Sequence, residues 1–156
     1  MEDLGRILRD HPFTAGLDEK QIASLAGCAS SVVFQAGQFI FPEGDDADAI
    51  YFIRQGKVVI ETYAPHKGPI TIQTRGAGEV TGWSWMVPPY KWHFDARALE
   101  LTRALALDGK CLRDKCEKDH DLGYALMKRF STVIAQRLEA TRLQLLDIYG
   151  NSDKNV

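Results

Sequence analysis

Hydrophobic positions along this chain change period twice. Leu4, Ile7 and Leu8 are spaced for one helix face, and His11-Pro12-Phe13 interrupts them. Ile22, Leu25 and Ala26 repeat that spacing after Asp18, a residue suited to an N-cap, and the run ends at Gly27. This predicts a helical segment over residues 1–30. From Ser31 the period becomes two. Val32 and Phe34 alternate with Val33 and Gln35 before the turn at Ala36-Gly37. Phe39 and Phe41 flank Ile40, and Glu43-Gly44-Asp45-Asp46 marks another turn. The apolar runs 49–54 and 58–63 face each other across Gln55-Gly56-Lys57, a hairpin in which glycine takes a positive φ without strain. Further strands are predicted over 70–74, from about Trp92 to Ala98, and from Thr102 to Leu107. About eight short strands at this spacing predict an antiparallel barrel over residues 31–108, of the jelly-roll (double-stranded β-helix) kind.

Past Asp108-Gly109 the helical period returns. Lys110 to Asp119 is predicted as a hinge of helix-turn-helix character. Leu122, Leu126, Phe130, Ile134, Leu138, Thr141 and Leu145 then step along one face of a long helix over residues 121–149. That is more than twice the mean helix length of about 11–12 residues. Such a helix overhangs a small barrel, so a homodimer through helix 121–149 is expected. Residues 109–150 are the hinge and dimer helix, and 151–156 form a polar tail expected to fray. The fold class is mainly β with flanking helices.

Composition narrows the functional classes. The 19 basic and 21 acidic residues leave a formal charge of −2, which excludes a generally basic nucleic-acid binder. With 45% hydrophobic and 26% charged residues the chain is globular, not disordered. No apolar run approaches the roughly 18 residues of a membrane span, and the first thirteen residues lack a signal-peptide core. Cys28, Cys111 and Cys116 are too few and too scattered for a disulfide framework. The expectation is a reduced, cytoplasmic protein with no membrane association.

Two segments, Phe39-Ile40-Phe41-Pro42-Glu43-Gly44-Asp45 and Ile50 to Val58, resemble the first half of a cyclic-nucleotide-binding domain, with Gly56 in its hairpin. Gly78-Glu79-Val80-Thr81-Gly82 resembles the run into that family's phosphate-binding cassette. The segment Gln136 to Arg142 is similar to the dimer helix of the catabolite-activator (Crp/Fnr) regulators. The resemblance covers roughly residues 10–150. It implies a sensory or regulatory domain with a ligand pocket between barrel and helix. It also implies that Arg137 helps fix the phosphate side, while Thr141 and Arg142 reach the base. The family's transcription factors continue into a DNA-reading winged helix. This chain stops shortly after Gly150, so direct DNA binding is not expected.

The cassette departs from that pattern. In the family a Glu follows the glycine and accepts from the ribose 2′-hydroxyl. An Arg about ten residues later pairs with the cyclic phosphate, which suits the planar fork of a guanidinium. Here Trp83 follows Gly82, and Trp92 stands near the Arg position. Arg97 lies five residues further on, an odd offset that points to the opposite face of a strand. Losing both anchors costs a phosphate ligand about 1.5–3 kcal/mol for each charged hydrogen bond. In their place, residues 82–94 hold all three tryptophans, Trp83, Trp85 and Trp92, together with Tyr90 and Phe94. Gly82, Trp83, Ser84, Trp85, Trp92, His93, Arg137 and Thr141 are the candidate ligand-binding residues. A nucleotide other than cyclic AMP, or a small planar ligand, would suit them. The alternative is a ligand-free module that docks a protein partner, its cavity plugged by Trp83 and Trp92.

Other chemistry is weakly signalled. The histidines His11, His66, His93 and His120 form no His-x-His pair, and no metal site is assigned. A haem or metal sensor, with His93 as ligand, is a third alternative. No Gly-x-Ser-x-Gly elbow, P-loop or Rossmann fingerprint occurs, so an enzyme is not expected.

Overall fold

The structure is a computed structural model and describes residues 3–154. Asp3 caps α1 (Leu4–Asp10) by accepting from the Arg6 N–H. Asp18 and Gln21 form a reciprocal capping box at the start of α2 (Glu19–Ala26). A 3₁₀ turn (Pro12–Thr14) separates them. Eight strands follow: β1 (Ala29–Phe34), β2 (Phe39–Phe41), β3 (Ala49–Gln55), β4 (Lys57–Ala64), β5 (Gly68–Gly76), β6 (Val80–Thr81), β7 (Asp95–Ala98) and β8 (Thr102–Asp108). They form two antiparallel four-stranded sheets, ordered β1-β8-β3-β6 and β2-β7-β4-β5, which is the expected jelly roll. The β3–β4 hairpin turns at Gly56, whose φ is +105°. A Cβ there would lie 2.5 Å from the Thr102 hydroxyl and 2.6 Å from the Leu101 carbonyl, so the turn needs glycine on both counts.

The core has two parts. One lies between α1, α2, α3 (Gly109–Lys118), α4 (His120–Lys154) and the first sheet, around Leu25, Phe52, Trp85, Leu107 and Phe130. The other lies inside the roll, around Phe41, Ile53, Val58, Ile60 and Trp92.

The structure corrects the sequence expectations in five places, four of them in the course of the chain. Residues 110–118 are an ordered helix, α3, capped by the Asp108 carboxylate on the Cys111 N–H at 2.7 Å. Strand β7 begins at Asp95, because Trp92 turns into the core and its backbone pairs with Gly44 and Asp45. The helix α4 continues to Lys154, through most of the predicted tail. Finally, Cys28 and Cys111 are joined in a disulfide across a sequence separation of 83. The register explains the pairing. Ala29 opposes Leu107, so the residue before β1 lies alongside the start of α3. The Asp108 N–H donates to the Cys28 carbonyl at 2.9 Å.

The single apolar face predicted for α4 also divides. Leu122, Leu126, Phe130 and Val133 are buried against the body of the protein, and Arg137 continues that line. Ile134, Leu138 and Leu145 lie on the exposed side. No helix among the described residues is long and apolar enough to cross a membrane.

Candidate functional site

Two glycines with positive φ flank β6, Gly78 (+86°) before it and Gly82 (+88°) at the start of the segment that leads to β7. Gly82 is also packed against an aromatic ring: a Cβ there would lie 2.4 Å from Trp92 Cζ3. The Trp92 indole is buried and stacks on Phe41, with centroids 3.6 Å apart and planes 8° from parallel. Phe94 packs against the same cluster. Near the position at which the resemblance expects a phosphate-binding arginine there is thus a stacked indole inside the roll.

The other aromatic residues of this segment go elsewhere. Trp83 stacks on the exposed His93 at 4.9 Å, and the Ser84 hydroxyl lies 3.1 Å from His93 Nδ1. Trp85 turns away into the helical half of the core, edge-on to Phe130 at 5.3 Å. Its carbonyl accepts from Arg113 at 2.7 Å, while its indole nitrogen has no partner among the described residues. The three tryptophans thus face three surroundings and do not line one aromatic pocket. Arg97 is engaged as well: its Nε donates to the buried Glu61 carboxylate at 2.9 Å, on the neighbouring strand β4.

Arg137 is 6% exposed. Its Nε donates to the Gln73 side-chain carbonyl at 3.0 Å, and its guanidinium lies 5.4 Å from the Phe94 ring centre. Burial, and secondarily the charge of Arg75, push its pKa down to about 10. It stays charged at neutral pH, at a cost to the fold on the order of 3 kcal/mol. Thr141 is exposed, and its hydroxyl donates to the Arg137 carbonyl one turn back. The eight candidate residues therefore fall into separate groups: Trp83, Ser84 and His93; Gly82 with Trp92; Trp85 alone; and Arg137 with Thr141.

Residues absent from the sequence expectation complete the seam between β5 and α4. Arg75 is 4% exposed. Its Nη1 donates to Glu79 at 2.6 Å and to the Gln136 side chain at 3.0 Å. Gln144 reaches the Thr71 carbonyl further along. Arg75 was hidden by strand parity. Ile70 and Ile72 set one face of β5, and alternation from them sends Gln73 and Arg75 to the other. A register shift intervenes: Ile60 pairs with Gln73 but Glu61 pairs with Thr71, leaving Ile72 as an extra residue. A bulge exchanges the faces on either side of it, and so brings Gln73 and Arg75 to α4.

Comparison with known proteins places these residues in context. The family profile described as cyclic nucleotide-binding domain matches residues 31–119. A CRP-like cAMP-activated global transcriptional regulator of Mycobacterium tuberculosis is 27% identical over 133 residues, covering 85% of this chain and 58% of that protein. The chain thus spans little more than half the length of that curated relative. Among solved structures, a protein of Geobacter metallireducens GS-15 named for cyclic nucleotide binding superposes with a TM-score of 0.77. It is 27% identical, over 88% of this chain and 99% of the other. The N-terminal domain of a transcriptional regulator from Streptomyces coelicolor A3(2) gives a TM-score of 0.66 at 28% identity, over 90% and 95% of the two chains.

Proposed function

The chain belongs to the cyclic nucleotide-binding domain family, and we propose that it is a sensory or regulatory module whose ligand is not cyclic AMP. One observation carries this reading: Trp92, near the place where the resemblance expects the phosphate-anchoring arginine, is stacked on Phe41 and closed against Gly82. An indole offers a cyclic phosphate no charge and only one donor. Trp83 likewise stands where a glutamate would accept from the ribose, and Arg97 is held by Glu61. In this reading the module signals by shifting the packing of α4 on the barrel and has no catalytic role. It works as a cytoplasmic homodimer through the exposed apolar side of α4, on which Leu138 is 70% exposed.

The same filled interior favours a second reading, a ligand-free module that docks a protein partner. The test is a thermal-shift titration with cyclic AMP, cyclic GMP and cyclic dinucleotides. A ligand at about 100 times its dissociation constant adds roughly 2.7 kcal/mol of stability, a shift of several degrees. We expect no saturable shift with cyclic AMP. A saturable rise with cyclic AMP overturns the first reading, and a rise with any ligand overturns the second.

A further inference from the structure

We propose that Arg75 and Arg137 form an oxyanion-binding site on the seam between β5 and α4, taking the phosphate or carboxylate group of a small ligand. The inference rests on the ligand-binding reading above and names the chemical class of the ligand.

The geometry is that of a built site lacking its anion. Two guanidiniums are buried side by side, because Arg75 is tied to Gln136 on α4 and the adjacent Arg137 is tied to Gln73, two residues before Arg75 on β5. Together they have one carboxylate among the described residues, Glu79, whose side chain is 44% exposed. The glutamines are neutral acceptors and compensate no charge. Buried charges are ordinarily paired, so the seam carries an excess of positive charge in a chain whose formal charge is −2.

The unused donors indicate what would balance it. Nε and Nη2 of Arg75 and Nη2 of Arg137 are buried without a partner among the described residues. On Arg75 the Nη1 end is occupied by Glu79 and Gln136, while Nε and Nη2 make up the side-on edge of the guanidinium. That edge is the fork that grips two oxygens of a carboxylate or phosphate. Access on the Arg75 side is present too. A cleft of about 530 Å³ opens over Arg75, between Gly78–Val80 and α4, with Lys128 and Arg129 on its helical wall. Arg129 spends its donors on the carbonyls of Phe13, Ala15 and Ala125, so its charge also goes without a carboxylate partner among the described residues. Arg75, Lys128 and Arg129 line the cleft against one carboxylate, Glu79, and such an excess of positive charge concentrates anions.

The experiment measures thermal unfolding of the full chain in inorganic phosphate, in succinate and in sodium chloride at matched ionic strength. It compares the wild type with Arg137→Gln and Arg75→Lys. Arg137→Gln removes an uncompensated buried charge and keeps a polar group, so it is expected to fold. Arg75→Lys keeps the charge for Glu79 and loses the fork. A saturable rise of several degrees above chloride is expected in the wild type. Affinity should fall roughly ten- to hundredfold in the variants, the worth of a charged hydrogen bond. A response to phosphate alone assigns a phosphoryl ligand, and one to succinate alone a carboxylate. Equal stabilisation by chloride, or a rise that survives Arg137→Gln undiminished, overturns the proposal. If Arg75→Lys does not fold, Arg137→Gln decides alone. A cyclic AMP arm separates the two claims: a cyclic AMP response that Arg137→Gln abolishes overturns the functional reading above and leaves this site standing.

Discussion

Gly82 and Trp92 act as a pair, because the indole fills the space into which a side chain at position 82 would project. The aromatic run was legible in the sequence, but the direction each ring takes was not. Neighbouring residues in an irregular segment have no fixed period, so Trp83, Trp85 and Trp92 could not be assigned to separate surroundings by counting. Single residues also carry the pH response. His11 is buried, its Nε2 lies 3.0 Å from the Ile53 carbonyl oxygen, and its Nδ1 accepts from the Phe13 N–H. Accepting at Nδ1 requires the neutral ring with its proton on Nε2, which then donates to Ile53. Burial holds its pKa below the usual 6.5, against a smaller opposing effect of the Ile53 hydrogen bond. The unfolded chain therefore takes up this proton first, and stability is lost as pH falls below about 6.5. Urea midpoints measured between pH 7.5 and 5.5 should decline for the wild type and decline less for His11→Asn. Parallel slopes would remove His11 from the acid response.

At the scale of elements, the capping signal at Asp18 and the glycine turn at position 56 work as local rules predict, since each acts within a few residues. The segment 110–118 was harder to read. Its helix carries only Leu112 as a fully buried apolar side chain, so its periodicity is faint. Its attachment comes from tertiary contacts: the Cys28–Cys111 disulfide, the Lys115 ammonium on the Ser24 carbonyl, and Arg113 on the Trp85 carbonyl. The disulfide ties the N-terminal helices to the element that leads into α4. Closing a loop with a sequence separation of 83 restricts the unfolded chain, and such bonds stabilise by roughly 2–4 kcal/mol. Reduction is expected to lower the melting temperature by about 5–15 °C. Cys111→Ser should show the same loss and no further response to reductant. A wild type whose melting is indifferent to reductant would remove this bond from the stability of the fold.

Across the whole molecule, α4 has a double role. Its N-terminal half completes the core through Leu122, Leu126 and Phe130. Its C-terminal half runs along β5 as far as the Gln144–Thr71 contact, while Leu138, Leu145, Leu146 and Ile148 remain exposed. In the proposed homodimer these side chains pack against their counterparts. Leu138→Asp would then place a charge in the seam without touching the core of the single chain. Sedimentation should give half the wild-type mass with an unchanged far-ultraviolet circular dichroism spectrum. Equal masses would show that this part of α4 is not the interface.

The amino-acid order by itself determined the sequence of elements, the jelly roll and the hairpin at Gly56. These follow from period, turn residues and spacing, all of which act over short stretches of chain. Only the tertiary structure decided which rings fill the roll, that Cys28 meets Cys111, and that a bulge at Ile72 turns Gln73 and Arg75 toward α4. Each of these depends on register between strands far apart in the chain. A slip of a single residue there exchanges the inner and outer faces of a strand without altering its hydrophobic pattern.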